Sequence, residues 1–141
     1  MSTPSKTSAA PPSPEPEFFL DRCLGHTVAA RLSALGWIVH QIGEHFPDDA
    51  QHVSDPDWIR FGAEHGWTLI TQDKRIRYRT DELAAVEETA GVMLQLADGN
   101  LMIAEKVERL STHRDAIFAA ARRVGPALYR VYADRITRVW P

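Results

Sequence analysis

From Phe18 onward, short apolar runs alternate with segments in which apolar side chains return every three or four positions. Phe18-Phe19-Leu20 is apolar at successive positions, as a strand buried on both faces requires. Val28, Leu32 and Leu35 then recur at spacings of four and three until Gly36, which predicts a helix with a glycine stop. Trp37-Ile38-Val39 predicts a second strand, Trp67-Thr68-Leu69-Ile70-Thr71 a third, and Val92-Met93-Leu94-Gln95-Leu96 a fourth. Between the second and third, a loop over residues 43–55 leads into Asp55-Pro56, read as N-cap and first helical residue. That helix carries Trp58, Ile59 and Ala63 and ends at Gly66, and a shorter one is expected around residues 81–89. Ile103, Val107, Leu110, Ile117 and Ala121 share one face of a long amphipathic helix closed by Gly125-Pro126. Residues 127–132 and 135–140 read as a β-hairpin about Ala133-Asp134.

This order of strands and helices, with short connections, predicts an α/β fold: a mainly parallel sheet, helices on both faces, right-handed crossovers, and a C-terminal hairpin extending one edge. Arg130, Arg135 and Arg138 on that hairpin suit an edge that must not aggregate. Residues 1–16 hold five of the nine prolines among Ser, Thr and Ala, the composition of a disordered tail, which leaves one domain over residues 17–141. Hydrophobic residues at 44% and charged ones at 25% exclude a fibrous or coiled-coil chain. No apolar run approaches the ~18–20 residues of a membrane span. Cys23 is the one cysteine, so no internal disulfide exists, and with no charged-then-apolar opening segment a cytoplasmic setting is expected.

In a parallel sheet all strands end on one edge, and the residues placed there are acidic. Asp21 follows the first strand, Asp73 the third and Asp98 the fourth, while Asp55 and Asp57 open a helix whose N-terminus faces the same edge. Each acid also has a local role open to it, as a cap, a turn residue or a first-turn charge. Converging carboxylates repel one another unless a cation neutralises them, and oxygen-only ligands favour Mg²⁺ or Mn²⁺. Next to Asp73 stand Lys74, Arg75, Arg77 and Arg79, with Tyr78 interleaved, either a solvated loop or a clamp for single-stranded nucleic acid. With a net charge of −3, affinity for nucleic acid must come from such a local patch. The histidines at 26, 40, 45, 52, 65 and 113, with Cys23, show no paired zinc-ligand spacing and are expected in surface or packing roles.

Phe18-Phe19-Leu20-Asp21-Arg22-Cys23-Leu24-Gly25, Asp55-Pro56-Asp57-Trp58-Ile59 and Leu69-Ile70-Thr71-Gln72-Asp73-Lys74-Arg75-Ile76 resemble the signatures of PIN-like domains, in the subgroup placed with VapC-type ribonuclease toxins. The resemblance covers about residues 17–140. It implies a three-layer α/β/α sandwich and an acidic cluster that binds Mg²⁺ or Mn²⁺ to activate water for hydrolysis of RNA. Carried over, the strand-one acid falls on Asp21, the middle-helix acid on Asp55 and the Thr-x-Asp-Lys acid on Asp73. The sequence departs from the family where ordinary PIN domains carry a helical Glu and a late Asp: Asp55 or Asp57 replaces the first, and Asp98 alone offers itself for the last. RNA as substrate, a cognate antitoxin as protein partner and room for a homodimer follow from the same resemblance. A domain that binds RNA or protein without cutting is the alternative. A phosphoacceptor domain would need a Lys after its fifth strand, and none lies beyond Lys106.

Overall fold

The computed structural model describes residues 15–46, 54–72 and 80–141. Residues 1–14 of the expected tail and the stretch from Asp73 through the basic run to Arg79 lie outside the described residues, as does the side chain of Asp55. The strands are β1 (Glu17–Leu20), β2 (Ile38–Gln41), β3 (Thr68–Thr71), β4 (Val92–Leu96), β5 (Ala127–Val131) and β6 (Ile136–Trp140). The helices are α1 (His26–Ala34), α2 (Asp55–Glu64), α3 (Thr80–Thr89), α4 (Ile103–Thr112) and α5 (Arg114–Ala121), with 3-10 turns at Arg22–Leu24 and Ile42–Glu44. The six strands form one sheet in the order β2-β1-β3-β4-β5-β6. Every pairing is parallel except β5 with β6, the expected hairpin.

Alternation along the strands divides the interior in two. Phe18, Leu20, Ile70, Leu94 and Tyr129 face a core closed by α1, α4 and α5, through Val28, Leu32, Leu110 and Ile117. Phe19, Leu69, Met93 and Leu128 face the other, closed by α2 and α3 through Trp58, Ile59, Ala85 and Val86. The fold is thus the expected three-layer α/β/α sandwich. Helices α1 and α2 end with the same device. Gly36 and Gly66 take φ of 95° and 77°, and the N–H groups of Trp37 and Trp67 close back on Leu32 O and Gly62 O at 3.1 and 3.0 Å. A glycine accepts this left-handed backbone without a Cβ clash, so both predicted stops are real.

Several sequence expectations need correction. Ser54, not Asp55, caps α2: its hydroxyl accepts the Asp57 N–H at 3.3 Å, which makes Asp55 the first helical residue and Pro56 the second. The long helix is two, divided at His113. Leu110 and Ile117 lie seven positions apart, two turns of helix, so the apolar period runs through the corner and hides it. Leu35 and Ile103, expected on buried faces, are exposed. Arg130 is no edge residue, because β5 lies between β4 and β6, and its Nε donates to the buried Gln95 Oε1 at 3.0 Å. Finally, the crossovers cannot all share one hand. The β4-to-β5 connection advances across the sheet in the same direction as β2-to-β3 and β3-to-β4, yet its helices lie on the opposite face. The right-handed preference belongs to a compact strand-helix-strand unit. A connection of two helices with a corner between them is long enough to return by the other face.

Among the described residues no helix is long and apolar enough to cross a membrane. Helix α2, which bears Asp55 and Asp57, lies hard against the sheet at Gly62. A Cβ there would stand 2.5 Å from Leu69 Cδ2 and 2.5 Å from Phe19 Cδ2. Gly62→Ala should gain up to ~1 kcal/mol in helix propensity but overpack a filled core at a cost of about 1–3 kcal/mol. The expected net result is a lower urea midpoint at unchanged m-value; a raised midpoint would show that the helix can move off the sheet without strain.

Candidate active site

In the observed strand order, β1 sits between β2 and β3, so the chain leaves β1 to one side and returns on the other. Open parallel sheets bind ligands at such a switch point, outside the carboxyl ends of the strands. Asp21 is the first residue beyond β1. Its N–H donates to Ile70 O at 2.9 Å, which carries the β1-β3 ladder one step past the strand. Although Asp21 occupies the N-cap position of the 3-10 turn Arg22–Leu24, its side chain makes no capping bond. Instead Oδ2 accepts the hydroxyl of the buried Thr71, the last residue of β3, at 2.9 Å. The local role that the sequence left open for Asp21 is therefore not the one its carboxylate performs.

Cys23 completes this corner. Much of the residue is exposed, but Sγ turns inward, 3.5 Å from Asp21 Oδ2 and 3.9 Å from Thr71 Oγ1. Burial of the sulfur first, and the negative charge of Asp21 second, push the thiol up to about 11. It stays protonated at neutral pH and is no nucleophile there. Beside Asp21, between the ends of β1 and β2, a pocket of about 70 Å³ is lined by Arg22, His26, Gln41 and Gly43, among others. His26 Nδ1 is hydrogen-bonded to Gln41 Oε1 across it. The ~300–1,000 Å³ of a pocket that encloses a small molecule is far larger. A polymeric substrate would have to lie across this edge rather than sink into it.

The other acids are placed differently. Asp57 is exposed in the first turn of α2. Asp98 follows β4 with a φ of 70°, a region Asp tolerates better than most residues. Its Oδ2 lies 3.2 Å from Arg109 Nη1, which also donates to Ala97 O at 2.7 Å. Strand β3 separates the ends of β1 and β4, a distance of two strand spacings or about 10 Å. Gln72, the residue after β3, spans part of that gap by donating from Nε2 to Asp98 O at 3.3 Å. Asp73 comes next in sequence, outside the described residues with Lys74, Arg75, Arg77, Tyr78 and Arg79.

Sequence reasoning passed over the polar residues that support this edge. Thr71 and Gln95, paired in register at the ends of β3 and β4, are fully buried, and Arg109 exposes only 9% of its side chain. The signal was present: Thr71 closes β3 after two apolar residues, and Gln95 interrupts the otherwise apolar β4 one residue before its end. Sequence spacing also missed a cluster on the opposite face of β2, formed by His40, Glu44 and His45.

A family model described as a PIN-like domain matches residues 16–98, more than half of the chain. The chain therefore belongs to the PIN-like domain family, in its VapC-type branch. Among curated proteins it is similar to Putative ribonuclease VapC45 of Mycobacterium tuberculosis, 32% identical over 123 residues that cover 86% of this chain and 89% of that protein. No solved structure gives a significant match.

The thiol reports on the Asp21 charge. At pH 8 the folded protein should react with iodoacetamide more slowly than the urea-unfolded chain, because the raised pKa leaves less thiolate. Asp21→Asn removes the second cause of that shift and should narrow the difference. Equal rates in wild type and variant would mean that the Asp21 charge does not reach the sulfur.

Proposed function

We propose that this chain is a metal-dependent endoribonuclease that hydrolyses RNA phosphodiester bonds, and that it is the toxin of a type II toxin-antitoxin pair. Membership of the PIN-like family supports the reading, as does a relative whose name calls it a ribonuclease. The observation that carries it is the Asp21 carboxylate, held at the β1-β3 switch point by Thr71 rather than spent on a helix cap. Asp21, Asp55 and Asp73 are the residues we assign to the metal, with Asp57 and Asp98 as further acidic candidates. An all-oxygen donor set fits Mg²⁺ or Mn²⁺. When bound, such an ion supplies a Lewis acid that lowers the pKa of water and offsets negative charge on the phosphate.

The chain's own side chains do the rest. Thr71 donates to one carboxylate oxygen of Asp21 and so limits its rotation, while the first turn of α2 brings the positive end of a helix dipole toward the edge. Lys74, Arg75, Arg77 and Arg79 would bind the RNA backbone, with Tyr78 available to stack on a base. A cytoplasmic setting, a cognate antitoxin as partner, and a domain spanning residues 17–141 complete the reading. One observation favours the alternative of a binding domain that does not cut: the Asp98 carboxylate is already engaged by Arg109.

Purified protein incubated with labelled single-stranded RNA should cleave it with Mn²⁺ or Mg²⁺ and not with EDTA. Asp21→Asn and Asp73→Asn should each abolish that cleavage, beyond the ~10–100-fold cost of losing an outer-shell partner, with circular dichroism unchanged. Metal-dependent activity that survives in Asp21→Asn would sink the assignment, and RNA binding without cleavage in the wild type would favour the silent domain.

The middle-helix acids separate in a second comparison. Ser54 supplies the cap, so Asp55→Asn should lose activity with little change in melting temperature, and Asp57→Asn should lose less. The reverse ranking would move the ligand to Asp57.

A further inference from the structure

We propose that His40, Glu44 and His45 form a second metal site, one that takes zinc or a zinc-like divalent ion, on the face of β2 turned away from the acidic edge. One donor atom from each of the three lies within 4.8 Å of the others. This goes beyond the nuclease reading and does not depend on it. His40 and Gln41 are successive residues of β2 and point to opposite faces of the sheet. Gln41 lines the pocket beside Asp21, whereas the His40 ring stacks on Trp67 at 3.8 Å and 10°. The trio and the pocket beside Asp21 thus lie on opposite faces of the sheet.

Each member of the trio is held for the task in a different way. His40 bonds through Nε2 to Glu17 Oε1 at 2.8 Å; Glu17 stands two residues before Phe19, the β1 residue paired with His40. With Nε2 donating to the carboxylate, Nδ1 is the nitrogen left for a metal, the carboxylate-histidine arrangement that orients imidazole ligands. In Glu44, Oε1 accepts the Gln41 N–H at 2.8 Å, which fixes the carboxylate at the end of the 3-10 turn and leaves Oε2. The His45 N–H donates to Ile42 O at 3.1 Å, while its ring leans on Phe61 and Trp67 at 5.2 and 5.3 Å and makes no hydrogen bond among the described residues. Packing accounts for His40 and His45 and capping for Glu44, but none of these requires the three to present donor atoms to one another.

The donor chemistry selects the ion. Two imidazole nitrogens and one carboxylate oxygen suit Zn²⁺ and neighbouring transition metals, whereas Mg²⁺ prefers oxygen alone. Tetrahedral bonds of about 2.0–2.2 Å put donor atoms roughly 3.3–3.6 Å apart, so the trio must close by at most about 1.5 Å. His45 is exposed, and its ring can turn toward the other two to do so. Three protein ligands leave a fourth position for water or an incoming group.

The test is equilibrium dialysis of the full chain against zinc in the presence of excess Mg²⁺, with cobalt(II) as an optical probe of tetrahedral geometry. Wild type should retain one zinc, and its cobalt form should show the intense visible bands of a tetrahedral centre. His45→Gln should weaken zinc binding by more than ~100-fold, and Glu17→Gln, which touches only the anchor of His40, by ~10–100-fold. Asp21→Asn should bind zinc as wild type does, which separates this site from the nuclease reading whatever the fate of that reading. Glu44→Gln keeps an oxygen to accept the Gln41 N–H, so zinc lost there with circular dichroism unchanged reports a missing ligand and not an unfolded turn. Absence of zinc from wild type, equal retention by His45→Gln, or zinc lost from Asp21→Asn would each overturn the proposal.

Discussion

Burial of Phe18 and Leu20 on one face of β1, and of Phe19 on the other, locks the two halves of the interior to a single four-residue strand. At about 1.5–3 kcal/mol for each fully buried side chain, the three contribute roughly 5–9 kcal/mol together. The charged hydrogen bond from Thr71 to Asp21 is worth about 1.5–3 kcal/mol. Packing therefore decides where β1 lies, and the Asp21 carboxylate goes where the strand takes it. The polar contacts beyond the strand then only choose its orientation. Gly62 serves the same end from the far side, since its missing Cβ lets α2 settle against Phe19 and Leu69.

Strand β2 carries groups of two kinds, and the pleat sends them to opposite faces, Gln41 to the pocket beside Asp21 and His40 to Trp67. At the strand ends Asp21 takes the hydroxyl of the buried Thr71 and Asp98 takes Arg109. Imidazoles gather one strand further out, on a wall of aromatic rings made by Phe19, Phe61 and Trp67. An indole face supports a stacked histidine, and the Glu17 carboxylate holds that ring from β1. The opposite hand of the β4-to-β5 crossover has a use in this arrangement. It brings α4 to the α1 face, and from there Arg109 reaches Ala97 and Asp98.

Much of this was legible in the chain. The strand positions, the two glycine stops and the hairpin follow from apolar runs and turn residues, because these are local and each occupies only a few positions. Asp21 was legible for the same reason, as an acid that directly abuts a buried run. The cap of α2 was misread by one residue, because Ser54 and Asp55 are both good caps and propensity alone does not rank them. The corner at His113 was invisible, since two helical turns separate Leu110 from Ile117 whether or not the helix bends between them.

By itself the sequence determined which segments are strands and helices, which faces are apolar, and that acidic residues follow the strands. Those properties depend on near neighbours in the chain, and a period of two or of three and a half is written in the order of residues. Only the tertiary structure decided which strand ends are adjacent, that Asp21 bonds to Thr71 fifty positions away, and that Arg130 is interior. It alone set His40 between Glu17 and Trp67 and brought His45 to the same spot. Such contacts depend on strand order and on the hand of each crossover, which arise from the packing of whole helices against a twisted sheet and leave no period in the sequence.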